Sequence, residues 1–127
     1  MTKGEVHTLD WSPDNQHVAY TKQNQIVIYN TATHKVLTIH QRVPRNVQWF
    51  PNGTQLLYEA PDERGLSQLF RININGSGKQ QITNNQQGPL NHVRLSPDGR
   101  YVLYTTPGSK QLISGQISYS KYPEGLL

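Results

Sequence analysis

Three copies of one twelve-residue segment are the feature that most constrains how this chain folds. They cover residues 9–20, 47–58 and 93–104 and align without a gap. Each copy begins with alternating apolar and polar residues, continues through a turn that contains proline, and ends in an apolar run. Tandem copies of one pattern indicate a repeat architecture, in which each copy forms the same structural unit and stacks on its neighbours.

The centre of each copy has the chemistry of a tight turn. Proline presets φ at about −65° for the second turn position, aspartate or asparagine suits the third, and glycine then supplies a positive φ. Asn15 replaces glycine in the first copy, and asparagine tolerates a positive φ better than most residues. The predicted turn residues are Ser12, Pro13, Asp14, Pro51, Asn52, Gly53, Ser96, Pro97, Asp98 and Gly99.

The residues on either side of these turns predict four antiparallel strands in each repeat. Alternation before the turn is typical of a half-buried strand, and the apolar run after it is typical of a strand covered on both faces. A second hairpin pattern follows in residues 26–38 and again in residues 69–83. Trp11 and Trp49 lie 38 residues apart and Trp49 and Leu95 lie 46 apart, which brackets the roughly 40–45 residues of a propeller blade.

We therefore predict an all-β fold, a partial β-propeller of three four-stranded antiparallel blades, with residues 1–127 forming a single propeller segment. Blade 1 covers about residues 5–42, blade 2 about 43–86 and blade 3 about 87–127, where the last strand is poorly defined by its sequence. Residues 59–68 are polar and lengthen the second repeat. We interpret them as a surface loop inserted into one hairpin.

Several of these motifs resemble the WD40-like repeats in the propeller domain of TolB, the periplasmic partner of the Tol–Pal envelope system. The resemblance lies in residues 11–14 and 95–99, and in residues 73–76 with the following Ile82 and Thr83, whereas residues 49–53 depart from the pattern at two positions. It implies a bacterial, periplasmic repeat protein that binds other proteins. Similar repeats occur in gating propellers of prolyl-oligopeptidase-like peptidases and in sensor domains of membrane-anchored winged-helix transcription regulators, so these alternatives remain open.

Three blades do not close a ring, because propellers typically contain about 4–8 blades. The first and last blades would each leave an apolar face open, and such faces favour association. We predict that the ring is completed either by the remaining blades of a longer chain or by a homodimer whose two half-rings make a six-bladed ring.

The sequence contains none of the motifs that support catalysis or cofactor binding. It has no cysteine, no nucleophile elbow, no phosphate-binding loop, no dinucleotide-binding glycine pattern and no zinc-protease motif. The five histidines form no close ligand pair. We therefore predict a protein that is not an enzyme and has no cofactor and no metal site.

The charge and hydropathy patterns argue against nucleic acid and membrane partners. The formal net charge is +4, but the basic residues are scattered singly along the chain and form no contiguous patch that would neutralise phosphates. No stretch approaches the roughly 18 apolar residues of a membrane span, and the first residues lack the apolar core of a signal peptide.

Polar residues directly before the inner strand of each blade predict the binding surface. Because the inner strands line the channel of a propeller, these residues would gather at one mouth of the ring. They are His7, Thr8, Arg45, Asn46, Asn91 and His92. We predict that a protein or peptide binds there or along an open blade edge. The recurring aromatic residues, among them Trp11 and Trp49, are predicted to pack between blades.

Overall fold

The computed structural model describes residues 6–86, 88–106 and 112–116, and its regular elements are all β-strands. They are β1 (Thr8–Trp11), β2 (His17–Lys22), β3 (Gln25–Asn30), β4 (Val36–His40), β5 (Arg45–Trp49), β6 (Gln55–Pro61), β7 (Ser67–Asn73), β8 (Gln80–Gln81), β9 (Asn91–Leu95), β10 (Tyr101–Thr105) and β11 (Leu112–Gln116). Over the described ranges there is no helix with the length and apolar character needed to cross a membrane.

The strands form three separate antiparallel sheets that follow one another along the chain. Blade 1 is β1-β2-β3-β4, blade 2 is β5-β6-β7-β8, and blade 3 is β9-β10-β11 with β10 in the middle. This arrangement confirms the predicted all-β fold of successive propeller blades. The fourth strand predicted for blade 3 lies outside the described residues, and the predicted blade boundaries stay predictions.

The turns between the first two strands of the three blades share one conformation. In each turn the backbone N–H of the fourth residue donates to the carbonyl oxygen of the first. These bonds join Asn15 to Ser12, Gly53 to Phe50 and Gly99 to Ser96, at 3.0, 3.0 and 2.9 Å. The donating residues have φ of 60°, 72° and 75°, which explains why the repeat has glycine or asparagine at this place.

Aspartate side chains stabilise two of these turns. The Asp14 carboxylate accepts hydrogen bonds from the Ser12 hydroxyl and from the Gln16 N–H, and these bonds lower the pKa of Asp14. In the third turn Asp98 accepts a hydrogen bond from the Arg100 N–H, the largest cause of its own lowered pKa. A lowered pKa means that both carboxyl groups stay ionised, as acceptors of the turn, to a more acidic pH than an ordinary aspartate does.

Each sheet has two faces, which we name by the neighbour they point to along the chain. The front face points towards the preceding blade and the back face towards the following blade. The back face of blade 1 and the front face of blade 2 form one apolar cluster, which includes Ala19, Ile26, Ile28, Val47, Trp49, Leu56 and Tyr58. The back face of blade 2 and the front face of blade 3 form a second cluster, which includes Leu57, Leu69, Val93, Val102 and Tyr104.

Trp11 does not pack between two of the described blades, contrary to the prediction. Its side chain is 54% exposed, whereas Trp49 at the equivalent position of the next repeat is 7% exposed. The difference arises because Trp11 lies on the front face of blade 1, which no described sheet precedes. Leu9 on the same face is exposed for the same reason, while its equivalent, Val47, is buried.

Residues 59–68 are not the surface loop that we predicted. Glu59 lies buried within β6 and Gln68 lies buried within β7, so the turn itself covers only residues 62–66. The Gln68 side chain accepts hydrogen bonds from the Thr83 hydroxyl at 2.6 Å and from the Asn85 N–H at 2.8 Å. Polar side chains can be buried when they are hydrogen-bonded in this way. A prediction from polarity alone therefore ends β6 too early and begins β7 too late.

The turn that remains is organised by the Asp62 carboxylate. It accepts hydrogen bonds from the N–H groups of Arg64 and Leu66, at 2.8 and 3.0 Å, and from the Gln68 amide at 3.1 Å. The Arg64 guanidinium also donates to it at 3.2 Å. Partial burial raises the pKa of Asp62, but the bonds from Gln68, Leu66 and Arg64 together outweigh burial and lower the pKa to about 2.

Asp62 should contribute to the acid sensitivity of the fold. Because its pKa is lower in the folded state than the ordinary value of 3.8, its stabilising effect is present above that value and is lost as the pH falls towards about 2. We expect the free energy of unfolding, measured with urea, to fall less between pH 3.8 and about pH 2 in Asp62→Asn than in the wild type. Asp98→Asn, at a more exposed carboxylate, should reduce this pH dependence less. An equal pH dependence of stability in the wild type and Asp62→Asn would contradict the role assigned to Asp62.

Candidate functional site

The beginnings of the inner strands β1, β5 and β9 surround one concavity of about 730 Å³. The structure brings all six residues named from the sequence to its lining: His7, Thr8, Arg45, Asn46, Asn91 and His92. Six further lining residues were not identified from the sequence: Gln23, Asn24, Val43, Pro44, Glu59 and Leu90. We call this concavity the channel mouth.

One polar pair recurs in each blade at the channel mouth. It joins the first or second residue of the inner strand to a residue thirteen positions later in the second strand. The pairs are Thr8 with Thr21, Asn46 with Glu59 and His92 with Thr105, at 2.9, 2.6 and 2.9 Å between their side-chain atoms. The repeat therefore builds the same hydrogen-bonded position three times with different chemistry.

Two of the three inner strands contain an irregularity at this position. The pairing of β5 with β6 shifts register between Arg45 and Gln48, and Asn46 between them has a φ of 54°. The pairing of β9 with β10 shifts in the same way, and His92 there has a φ of 55°. Such bulges redirect a side chain out of the regular alternation, and here they accompany the side-chain pairs of Asn46 and His92.

Glu59 is the acidic residue of the lining, and it is only 2% exposed. Its two carboxylate oxygens accept hydrogen bonds from the Asn46 amide at 2.6 Å and from the backbone N–H of Leu90 at 3.2 Å. Glu59 thus links blade 2 to the segment that leads into blade 3, and it holds the Asn46 side chain in place. The thirteen-residue spacing from Asn46, repeated in all three blades, is the signal that could have identified it.

The accessible groups at the channel mouth have a different character. Arg45, His7, Asn91 and His92 are all exposed, and among the described residues Arg45 takes part in no ion pair. A guanidinium group has only hydrogen-bond donors. The side chains open to a ligand are therefore able to donate hydrogen bonds, while the lining carboxylate is already occupied.

The described residues offer no cluster of three or more His, Cys, Asp or Glu side chains that could hold a metal ion. At the channel mouth the two histidines lie on different blades, and the Glu59 oxygens already accept two hydrogen bonds. The arrangement is suited to hydrogen bonding with a ligand rather than to coordinating a cation.

Solved structures that are similar to this chain are propellers. TolB from Acinetobacter baumannii matches with a TM-score of 0.75 and 18% identity, over 91% of this chain and 31% of its own. The tricorn protease matches with a TM-score of 0.67 and 10% identity, over 91% of this chain and 14% of its own. The Cps50 (Swd1) β-propeller domain from Myceliophteria thermophila matches with a TM-score of 0.63 and 16% identity, over 91% of this chain and 41% of its own.

These likenesses concern the fold, since the sequence identities are low. The chain spans less than half of the length of each of these three structures. No protein-family model matches the sequence, and no curated protein matches it.

Proposed function

Because the chain has the fold of a TolB-type, WD40-like β-propeller, we propose that it is a non-enzymatic module that binds a protein or peptide at the channel mouth. The observation that carries this proposal is the convergence of three repeats on one concavity whose exposed side chains include hydrogen-bond donors. The ligand that fits is a segment rich in carboxylate and carbonyl oxygens.

The geometry supports a division of roles among the lining residues. Arg45 is exposed, and a guanidinium binds a carboxylate through two parallel hydrogen bonds. Asn91, which lines the same concavity, can donate to a peptide carbonyl. Asn46 is held by Glu59, so this part of the site is ordered before a ligand arrives and loses little entropy on binding.

An acidic peptide is expected to bind this chain and a basic one is not. We would titrate the protein with a ten-residue peptide of alternating Asp and Ser, and with its Lys and Ser counterpart, by isothermal titration calorimetry. Arg45→Gln should weaken binding of the acidic peptide at least about tenfold, because a hydrogen bond to a charged group contributes about 1.5–3 kcal/mol.

Arg100→Gln is the matched control for this experiment. Arg100 is also an exposed arginine, but it lies in the turn before β10, where it pairs with Asp98 at 3.3 Å. Its replacement removes the same charge and should leave the affinity unchanged. Equal binding of the two peptides, or an equal loss in both variants, would contradict the proposed site.

The alternative function is a sensor or gating propeller that serves another domain, either a winged-helix regulator or a serine peptidase. The likeness to the tricorn protease concerns only the fold and does not favour this alternative. A reading frame that encodes such a domain beside the propeller would favour it. Turnover of peptide or ester substrates that a single substitution abolishes would contradict the non-enzymatic proposal.

We further propose a periplasmic location in a bacterial cell, which rests on the resemblance to TolB. Osmotic-shock fractionation of cells that produce the full-length protein should release it with the periplasmic contents, and retention in the cytoplasm would contradict this. We also propose that further blades complete the ring, supplied by a longer chain or by a homodimer.

A further inference from the structure

The two junctions between blades share one polar contact. Between blades 1 and 2, the Asp10 carboxylate accepts a hydrogen bond from the backbone N–H of Trp49 at 2.9 Å. Between blades 2 and 3, the Gln48 side-chain oxygen accepts one from the backbone N–H of Leu95 at 2.8 Å. Asp10 and Gln48 hold the same position in the repeat, as do Trp49 and Leu95. We call this contact the acceptor clasp.

The clasp is accompanied by a second bond at each junction. The Trp49 indole N–H donates to the backbone oxygen of Asp10 at 3.0 Å. At the other junction the Gln48 amide donates to the backbone oxygen of Val93 at 2.9 Å. The clasp itself therefore needs a side-chain acceptor on the back face of one inner strand, whereas the accompanying bond varies.

Arg94 is the third residue at this position, and it cannot form the clasp. It lies on the back face of blade 3, which no sheet among the described residues covers, and it is exposed. A guanidinium group has five donors and no acceptor. Tyr101 and Leu103 beside it are 40% and 38% exposed, whereas Leu57, the equivalent of Leu103 in blade 2, is fully buried.

The front face of blade 1 is also uncovered by the described sheets, but it carries the kind of large apolar side chains that are buried in blade 2. Leu9 and Trp11 are 62% and 54% exposed, while their equivalents in blade 2, Val47 and Trp49, are 2% and 7% exposed beneath blade 1. Within the described part of the chain, the Trp11 N–H has no side-chain acceptor of the kind that holds Trp49.

We propose that the front face of blade 1 docks a propeller-type blade of a different sequence, one that carries Asp or Gln where this chain has Asp10 and Gln48. A second copy of this chain would bring Arg94 towards the Trp11 N–H, so that two donors would face each other. Covering a donor that has no acceptor is unfavourable. The two internal junctions avoid this penalty, because Asp10 and Gln48 supply the acceptor. The proposal rests on the proposed completion of the ring and, of its two alternatives, favours further blades of a different sequence over a homodimer. It concerns a surface other than the channel mouth and does not depend on the ligand bound there.

The proposal predicts a gain of self-association when the missing acceptor is restored. Arg94→Gln places the side chain of Gln48 on the back face of blade 3, where it can accept from Trp11 of a second copy. By sedimentation equilibrium of the whole chain, we expect its dissociation constant for self-association to be at least about tenfold lower than that of the wild type. Arg94→Asp should act in the same direction, because Asp10 forms the clasp between blades 1 and 2.

Two controls separate the clasp from a general effect of charge. Arg42→Gln removes an exposed positive charge from the connection between β4 and β5 and should leave self-association as in the wild type. Trp11→Ala in the Arg94→Gln chain should abolish the gain, because it keeps the backbone N–H but removes the large apolar side chain that docking would bury beside it. Circular dichroism should show that all variants keep the strand content of the wild type, since Arg94, Arg42 and Trp11 are exposed.

Three outcomes would overturn the proposal. A wild-type chain that associates as tightly as Arg94→Gln would show that a second copy already covers the face. An Arg94→Gln chain without any gain would show that the acceptor does not decide docking. A gain that survives Trp11→Ala would place the contact on another surface. A failure of the acidic peptide to bind at the channel mouth would leave this test unaffected.

Discussion

Replacing Trp49 by alanine is expected to lower the free energy of unfolding by about 3–5 kcal/mol, as for other buried aromatic residues. The side chain is 7% exposed and lies in the cluster between blades 1 and 2. Its indole N–H also donates to the backbone oxygen of Asp10 at 3.0 Å, so its removal leaves a cavity and takes away this hydrogen bond between the blades. Urea unfolding monitored by circular dichroism would measure the effect.

Trp11→Ala is the matched control, since it makes the same change at the equivalent position of the first repeat. Trp11 is 54% exposed, and none of the described sheets lies in front of it, so its replacement should change the stability of the isolated chain by no more than about 0.5 kcal/mol. Equal losses for the two variants would contradict the assignment of an open front face to blade 1.

Replacing Gly99 by alanine is the second substitution expected to have a large effect. Gly99 has a φ of 75°, where an L-residue with a Cβ costs roughly 1–2 kcal/mol. An added Cβ would also lie 2.7 Å from Cδ and 2.9 Å from Cγ of Pro51 in the neighbouring blade. The proline ring is rigid, so relief requires the two blades to move apart, at a further cost of about 1–3 kcal/mol.

Gly53→Ala separates these two contributions. Gly53 has almost the same φ, 72°, but a Cβ placed there would have no heavy atom within 4 Å. Gly53→Ala should therefore be destabilised only by its unfavourable positive φ. It should remain about 1–3 kcal/mol more stable than Gly99→Ala. Thermal and urea unfolding of the two variants under the same conditions would measure the difference. A Gly99→Ala chain as stable as Gly53→Ala would show that the blades separate without cost.

At the channel mouth, six of the twelve lining residues were predicted from the sequence and six were not. The repeat aligns His7, Arg45 and Asn91, and any propeller geometry brings aligned residues to the same end of the ring, so their convergence followed from the alignment. Glu59 could not be placed by its own type, because a carboxylate in a polar stretch is usually exposed. Its burial depends on donors from Asn46 and Leu90, and Leu90 lies 31 residues away.

The junctions between blades illustrate the same limit. Asp10, Gln48 and Arg94 alternate with apolar residues, and the sequence alone predicts three solvent-facing strand positions. The structure shows that Asp10 and Gln48 each accept a hydrogen bond from the next blade. Arg94 occupies the same position in blade 3, but its side chain has only donors. This difference matters because the other two residues at this position act as hydrogen-bond acceptors, and only the structure shows that they do.

What the sequence by itself determined is the local structure of the repeat. The steric preferences of Pro13, Asp14 and a residue with positive φ act within four residues, and the alternation of apolar side chains acts within one strand, so neither needs distant contacts. Only the tertiary structure decided which copy of the same residue is buried. Trp11 and Trp49 share their type and their local structure, yet one is exposed and the other covered, because burial depends on whether a neighbouring blade lies in front of the residue.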